Sequence, residues 1–255
     1  MMKFIAIIPA RYASTRFPAK PLAILAGKTV IQRVYEQVNG LVDKAVVATD
    51  DERIAEEVRS FGGEVVLTRT DHKSGTDRCC EAMEKVGGDY DVVINVQGDE
   101  PFIRTQQIEA LKECFLDADV QIATLVKPFA KEDGFAAVQN PNSPKVVVGN
   151  DGRALYFSRS VIPFVRGIDP GDGWFDKATF YKHIGVYAYK CEVLKEITSL
   201  PQSSLELAES LEQLRWLQNG YRIKVGVTNI ETVGIDTPED LLKAEDYINA
   251  HPEFL

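Results

Sequence analysis

Over residues 4–126 the chain alternates short apolar runs with stretches of helical spacing, and this alternation narrows the possible folds more than any other feature. Apolar runs occupy 4–8, 45–48, 64–67, 91–96 and 121–126. Between them, 29–39 carries Val30, Val34 and Val38 on one helical face, with Gly40 as its stop. Thr49 and Glu52 have the spacing of a capping box, ahead of a helix that Gly62 and Gly63 end. Further helices are expected over 76–86, closed by Gly87 and Gly88, and over 105–116, with Ile108, Leu111 and Phe115 inward. Strands spaced by helices of this length imply βαβ units: an α/β fold with a mainly parallel sheet and helices on both faces.

After residue 140 the pattern changes. Residues 145–149 and 153–158 flank Asn150-Asp151-Gly152 and read as a hairpin with a tight turn. Residues 166–178 (RGIDPGDGWFDKA) read as a mobile loop. Strands are expected over 183–189 and 222–228, and helices over 204–219 and 238–249. No linker, repeat or low-complexity tract interrupts the chain, so a single domain, 1–255, is expected, with 140–190 as a hairpin-bearing insertion over the sheet edge.

Composition limits the partners. The formal net charge is −9, whereas a general nucleic-acid binder is usually basic. Cys79, Cys80, Cys114 and Cys191 lack zinc-site spacing and read as reduced thiols on helix faces. The start, MMKFIAIIPA, reaches a strand at once and lacks the apolar core of a signal peptide. No apolar run approaches the ~18 residues of a membrane span. A soluble cytoplasmic protein is expected.

In an open α/β sheet, ligands bind beyond the carboxyl ends of the strands. The first such loop holds Arg11, Arg16 and Lys20 within ten residues, among the small residues Ala10, Ala13, Ser14, Thr15 and Ala19. It is neither a P-loop nor a G-x-G-x-x-G turn. Small residues let backbone N–H groups approach an anion, and arginine offers paired donors to phosphate. A nucleoside triphosphate carries roughly four negative charges, which three cations and a metal would balance. The alternative is a basic loop that merely faces water.

The second loop lies in DVVINVQGDEP (91–101). Gly98 permits a tight turn, so Asp99 projects at the sheet's carboxyl edge. A carboxylate facing a polyphosphate needs a cation between them, and Mg²⁺ favours one or two carboxylates with phosphate oxygens. Otherwise Asp99 or Glu100 simply begins a turn. In ETVGIDTPED (231–240) a short strand precedes Asp236, and Thr237, Pro238 and Asp240 suit N-cap, N1 and N3 of a helix. That leaves Asp236 to be a ligand or a turn residue. In DHKSGTDR (71–78) Ser74 and Thr76 are both cap candidates and Gly75 allows close backbone approach. This loop either caps a helix or reads a nucleobase edge. His72 reads as a loop histidine rather than a ligand, and His183 as a pocket residue opening a strand.

Together IIPARYASTRFPAKPL (7–22), VVATDD (46–51), DHKSGTDR (71–78), INVQGDEP (94–101), ALYFSRS (154–160), KHIGVYAYK (182–190), LAESLEQLR (207–215) and GIDTPEDL (234–241) resemble the 3-deoxy-manno-octulosonate (Kdo) cytidylyltransferases, the CMP-Kdo synthetases. The resemblance covers nearly the whole chain. It implies a Rossmann-like core of the nucleotide-diphospho-sugar transferase type. It implies that CTP is coupled to Kdo with Mg²⁺, releasing pyrophosphate and giving CMP-Kdo for lipopolysaccharide biosynthesis, by a homodimer that uses 140–190 for dimerisation and sugar binding.

Carried onto this chain, the resemblance puts Ala10, Arg11, Arg16 and Lys20 at the triphosphate, and Ser74, Gly75, Arg78 and Gln97 on the nucleotide side. Arg11, Lys20, Asp99 and Asp236 would be catalytic, with Asp99 and Asp236 holding the metal. Gln97, Arg159, His183 and Tyr187 would meet the sugar. On the expected 204–219 helix, Glu209 and Gln213 are four apart and share a face; Glu212 is the alternative. The family often has Leu-Pro-Gly-Lys where this chain has Phe17-Pro18-Ala19-Lys20, and 166–178 matches nothing in it.

Rivals are a CMP-sialate synthetase, a synthetase for 8-amino-Kdo, or a sugar-1-phosphate nucleotidyltransferase, which usually opens with G-x-G-T-R. A catalytically silent sugar-nucleotide sensor on the same fold is a rival of another class, against which the retention of Asp99 and Asp236 argues.

Overall fold

The computed structural model describes residues 2–13, 16–231 and 234–254, so Ser14, Thr15 and the expected short strand at Thr232 and Val233 lie wholly or partly outside the described residues. In chain order the first elements are β1 (Phe4–Ala10), β2 (Ile24–Leu25), β3 (Lys28–Thr29), α1 (Val30–Val38), β4 (Lys44–Thr49), α2 (Glu52–Ser60), β5 (Val65–Leu67), α3 (Gly75–Val86), β6 (Val92–Asn95) and α4 (Thr105–Cys114). Then come β7 (Ile122–Pro128), α5 (Phe135–Gln139), β8 (Lys145–Val148), β9 (Ala154–Ser158), β10 (Tyr181–Lys190), α6 (Cys191–Ser199), α7 (Ser204–Glu209), α8 (Gln213–Gln218), β11 (Ile223–Val227) and α9 (Pro238–Ala250). Two compact units form: residues 1–108, 188–198 and 232–255 make the first, and 109–187 with 199–231 the second.

In the first unit β6, β1, β4 and β5 lie side by side, all parallel, with Ile7 between Val46 and Asn95 in register. Ile5, Ile7, Ile8, Val93 and Ile94 are fully buried. Parallel strands covered on both faces need continuous apolar runs, which is why these segments do not alternate. The chain steps from β1 outward to β4 and β5, then returns to β6 on the other side of β1. Right-handed crossovers in opposite directions put α1 and α2 on one face and α3 on the other. The reversal leaves a crevice beyond the carboxyl ends of β1 and β6. A second cluster, with Leu25, Val30, Phe102, Ile235 and Phe254, packs α9 into this unit.

Caps set the helix starts. Ser74 and Asp77 form a capping box for α3, and Thr237 and Asp240 one for α9. The expected Thr49–Glu52 box is not formed. Asp51 caps α2 by accepting from Arg53 N, while Thr49 ends β4 and accepts from Asp51 N at 3.2 Å.

In the second unit β11 runs parallel to β7, and β8 pairs antiparallel with both β10 and β9. The β8–β9 pair is the expected hairpin. The 166–178 segment is anchored rather than open, because Trp174 is buried against Phe135, Val138 and Phe180 and donates from Nε1 to Ile168 O at 3.1 Å. The expected 204–219 helix is two short helices. Ser210, at φ 50°, takes the left-handed conformation and ends α7. Glu209 and Gln213 therefore do not share a helical face: one closes α7 and the other opens α8.

Candidate active site

A cleft of about 190 Å³ opens in the first unit at the ends of β1 and β6. Ala10, Arg11, Arg16 and Lys20 enter it from the opening loop, and Gln97, Gly98 and Asp99 from the turn after β6. Ser74, Gly75 and Arg78 come from the start of α3, and Asp236 from the residue before the α9 cap. Every sequence-predicted nucleotide and metal position is therefore in one place. The turn after β6 closes through Glu100 N to Gln97 O at 3.1 Å. It lies so close to β1 that a Cβ on Gly98 would come 2.8 Å from Pro9 O, so only glycine fits without a backbone shift.

Lys20 organises the charges. Its Nζ is 2.5 Å from Asp99 Oδ2 and 3.3 Å from Asp236 Oδ1, and Arg16 reaches the same Asp236 oxygen at 3.1 Å. Residues 79 and 216 positions away along the chain thus meet on one ammonium. Lys20 is positioned by a short helical turn whose cap, Ala19, sits at φ 59° and donates its N–H to Tyr12 O at 3.0 Å. Arg11 is exposed and forms no ion pair among the described residues.

Glu100 is the third carboxyl of the cluster. Burial first, then the charges of Asp99 and Asp236, push it up to about 8. Its carboxyl is therefore held largely neutral at pH 7, which leaves Asp99 and Asp236 as the acidic side chains facing the cleft. Among the described residues no group of three or more His, Cys, Asp or Glu side chains could hold a metal. Two hard oxygen donors, already bridged by one cation, nonetheless fit a Mg²⁺ ion completed by phosphate oxygens.

Arg78 is deeply buried and held by Asp50 at 3.0 Å and Thr68 Oγ1 at 2.6 Å, so it braces the cleft from behind α3. Gln97 donates from Nε2 to Asn95 Oδ1 at 3.0 Å. His72, expected to be a loop histidine rather than a ligand, lines the cleft with its ring on Glu81. Its neighbours in DHKSGTDR were the available signal.

The sugar candidates other than Gln97 all belong to the second unit. Thr124 has one hydroxyl proton, which goes to Val186 O at 2.8 Å; it therefore accepts from His183 Nε2 at 3.0 Å. Burial lowers His183 to about 3, so it offers hydrogen bonds and not charge. Tyr187 is buried, 5.3 Å from the His183 ring, and its hydroxyl is raised well above the usual range by burial and then by Glu212. Glu212 pairs with Arg215 at 2.7 Å. Gln213 is buried, and its Nε2 has no partner among the described residues. Glu209 accepts from Ser158 Oγ at 2.6 Å and from Arg159 N at 2.9 Å. The break at Ser210 turns the last carbonyls of α7 onto the Arg159 guanidinium: Nε reaches Glu209 O at 2.6 Å and Nη2 reaches Ser210 O at 3.2 Å.

Comparison with known proteins adds three findings. Residues 5–224 match the family model described as Cytidylyltransferase. The 3-deoxy-manno-octulosonate cytidylyltransferase of Phocaeicola vulgatus is 68% identical over 247 residues, covering 97% of this chain and 98% of that protein, and that of Bacteroides thetaiotaomicron matches to the same extent. Among solved structures, a CMP:2-keto-3-deoxy-manno-octonic acid synthetase complexed with CTP superposes with a TM-score of 0.89 at 42% identity, covering 97% of this chain and 99% of that one.

Proposed function

We propose that this chain, which belongs to the 3-deoxy-manno-octulosonate cytidylyltransferase family, couples CTP to Kdo and releases CMP-Kdo and pyrophosphate. The observation that carries this is Lys20 lying between Asp99 and Asp236 at the mouth of a parallel sheet. Basic and acidic groups are gathered there for a triphosphate with a divalent ion, and a relative of this fold is known with CTP bound.

The anomeric hydroxyl of Kdo attacks the α-phosphorus; the new O–P bond forms as the α–β bridging bond breaks, and the hydroxyl proton is released. Arg11, Arg16 and Lys20 hold the triphosphate and stabilise charge on the departing pyrophosphate, which is where such transfers gain most of their rate. Asp99 and Asp236 would hold Mg²⁺, which when bound would polarise the α-phosphate and lower the pKa of the attacking hydroxyl. Ser74 and Gly75 place the nucleotide from the start of α3, with Arg78 as the brace behind them. Arg159 receives the sugar carboxylate. Neutral His183, Tyr187 and the free amide of Gln213 suit the sugar hydroxyls, while Glu209 and Glu212 orient their arginine neighbours. We read the reaction as cytoplasmic; among the described residues no helix is long and apolar enough to cross a membrane. The homodimer is supported by apolar Leu155 and Phe164, 63% and 73% exposed, on the 140–190 segment.

The test is a panel. Purified protein with CTP and Mg²⁺ is expected to release pyrophosphate with Kdo, and far less with 8-amino-Kdo, sialic acid or a hexose 1-phosphate. Release with sialic acid or a hexose 1-phosphate and none with Kdo would overturn the substrate. Light scattering on the same sample is expected to give twice the chain mass; a monomer would remove the dimer.

A further inference from the structure

Lys145 opens β8 opposite Ser158, is fully buried, and has no part in the chemistry above. Its ammonium donates to two backbone carbonyls, Arg159 O at 2.6 Å and Asn140 O at 2.9 Å. The Arg159 guanidinium is held in the same manner, by the carbonyls of Glu209 and Ser210 and by Pro141 O at 2.9 Å. Among the described residues neither cation has a carboxylate at its charged end. The Glu209 carboxylate is turned instead to Ser158 Oγ and the Arg159 N–H. Two positive charges and one negative charge are therefore fixed in one cluster by groups that carry no charge themselves. Carbonyl dipoles hold a cation in place without neutralising it, and burying charge this way is costly unless a counter-charge arrives. The two cations feel each other: burial, and then Arg159, lower Lys145 to about 8 while Glu209 opposes the shift. Lys145 stays charged at neutral pH.

We propose that Lys145 is a positioning residue for an acid sugar: it clamps the Arg159 carbonyl from inside the second unit and leaves the cluster one positive charge in excess, matched to a single carboxylate. This rests on the reading above, in which Arg159 receives the carboxylate of Kdo. The lysine does not touch the sugar. It acts by fixing the backbone from which Arg159 projects and by adding charge behind it.

The full-length protein and its Lys145→Met and Lys145→Gln variants are assayed for pyrophosphate release with Kdo and with the C1 amide of Kdo. CTP affinity is measured separately by calorimetry and also reports whether each variant is folded. A wild-type protein inactive with Kdo would overturn the functional reading, and this inference with it. With an active wild type, Lys145→Met is expected to raise KM for Kdo about tenfold, the scale of one lost charge-assisted contact. CTP affinity should stay within about twofold, and the preference for acid over amide should fall by the factor lost in KM. Lys145→Gln, which keeps a donor for the Arg159 carbonyl but no charge, should lose the acid preference too. Equal losses for acid and amide in either folded variant, unchanged kinetics, or sugar KM and CTP affinity moving together would leave Lys145 a purely structural residue and overturn the proposal.

Discussion

Lys20 and Arg159 are both cations at the heart of a binding region, and they are held in opposite ways. Lys20, in the first unit, rests on the carboxylates of Asp99 and Asp236. Arg159, in the second, rests on backbone carbonyls at the end of a broken helix. A cation on carboxylates is neutralised and must change partners when a phosphate arrives. A cation on carbonyls keeps its charge and can receive a carboxylate without rearrangement. The difference follows from the ligands: a triphosphate brings several charges with a counter-ion, whereas an acid sugar brings one.

The comparison breaks most readily at Asp99. Asp99→Asn is expected to cut turnover by about 10²–10³, the range for removing one electrostatic element of a transition state, while circular dichroism shows the fold intact. Retained turnover would mean that the carboxylates serve only to hold Lys20. Arg159→Met should cost less and act differently, raising KM for Kdo by about 10–100-fold with CTP affinity unchanged, since it removes a paired charge-assisted contact. A matching loss in CTP affinity would mean that the second region is not separate in function. The smallest effect sharpens the first region alone. Ala19 holds a left-handed conformation at φ 59°. Ala19→Gly is expected to be tolerated, with kcat within about twofold and stability raised by up to ~1 kcal/mol, because the Cβ clash of that conformation goes. A large loss in thermal melting would show that the Ala19 methyl packs where the backbone alone was credited.

The first region was far more legible in the sequence than the second. Fully buried parallel strands leave uninterrupted apolar runs, and glycine pairs end the helices between them, so strand-end loops could be located and searched for charge. Arg11, Arg16, Lys20, Asp99 and Asp236 were found that way, and the resemblance then gathered them into one site. In the second region local pattern misled. Residues 204–219 keep helical spacing, yet Ser210 breaks them because Arg159, distant in sequence, binds the carbonyls that the break exposes. Asp51 rather than Thr49 caps α2, since the strand holds Thr49 to its last position. Trp174 sits among Gly and Asp residues that read as an open loop, and its burial depends on Phe135 and Phe180. Nothing in the 145–149 run marks Lys145 as a buried cation. For Ser210 and Trp174 a deciding partner, Arg159 and Phe135, lies far along the chain, where no local window reaches.

The bridge that Lys20 makes between two aspartates has a consequence for turnover. Since those carboxylates already satisfy the ammonium at rest, an entering polyanion must displace them to gain it. The same pair can reclaim the lysine once the α–β bond is cut. Recapture of the ammonium would loosen the grip on pyrophosphate, so the groups that prepare the cleft for its nucleotide also help to empty it.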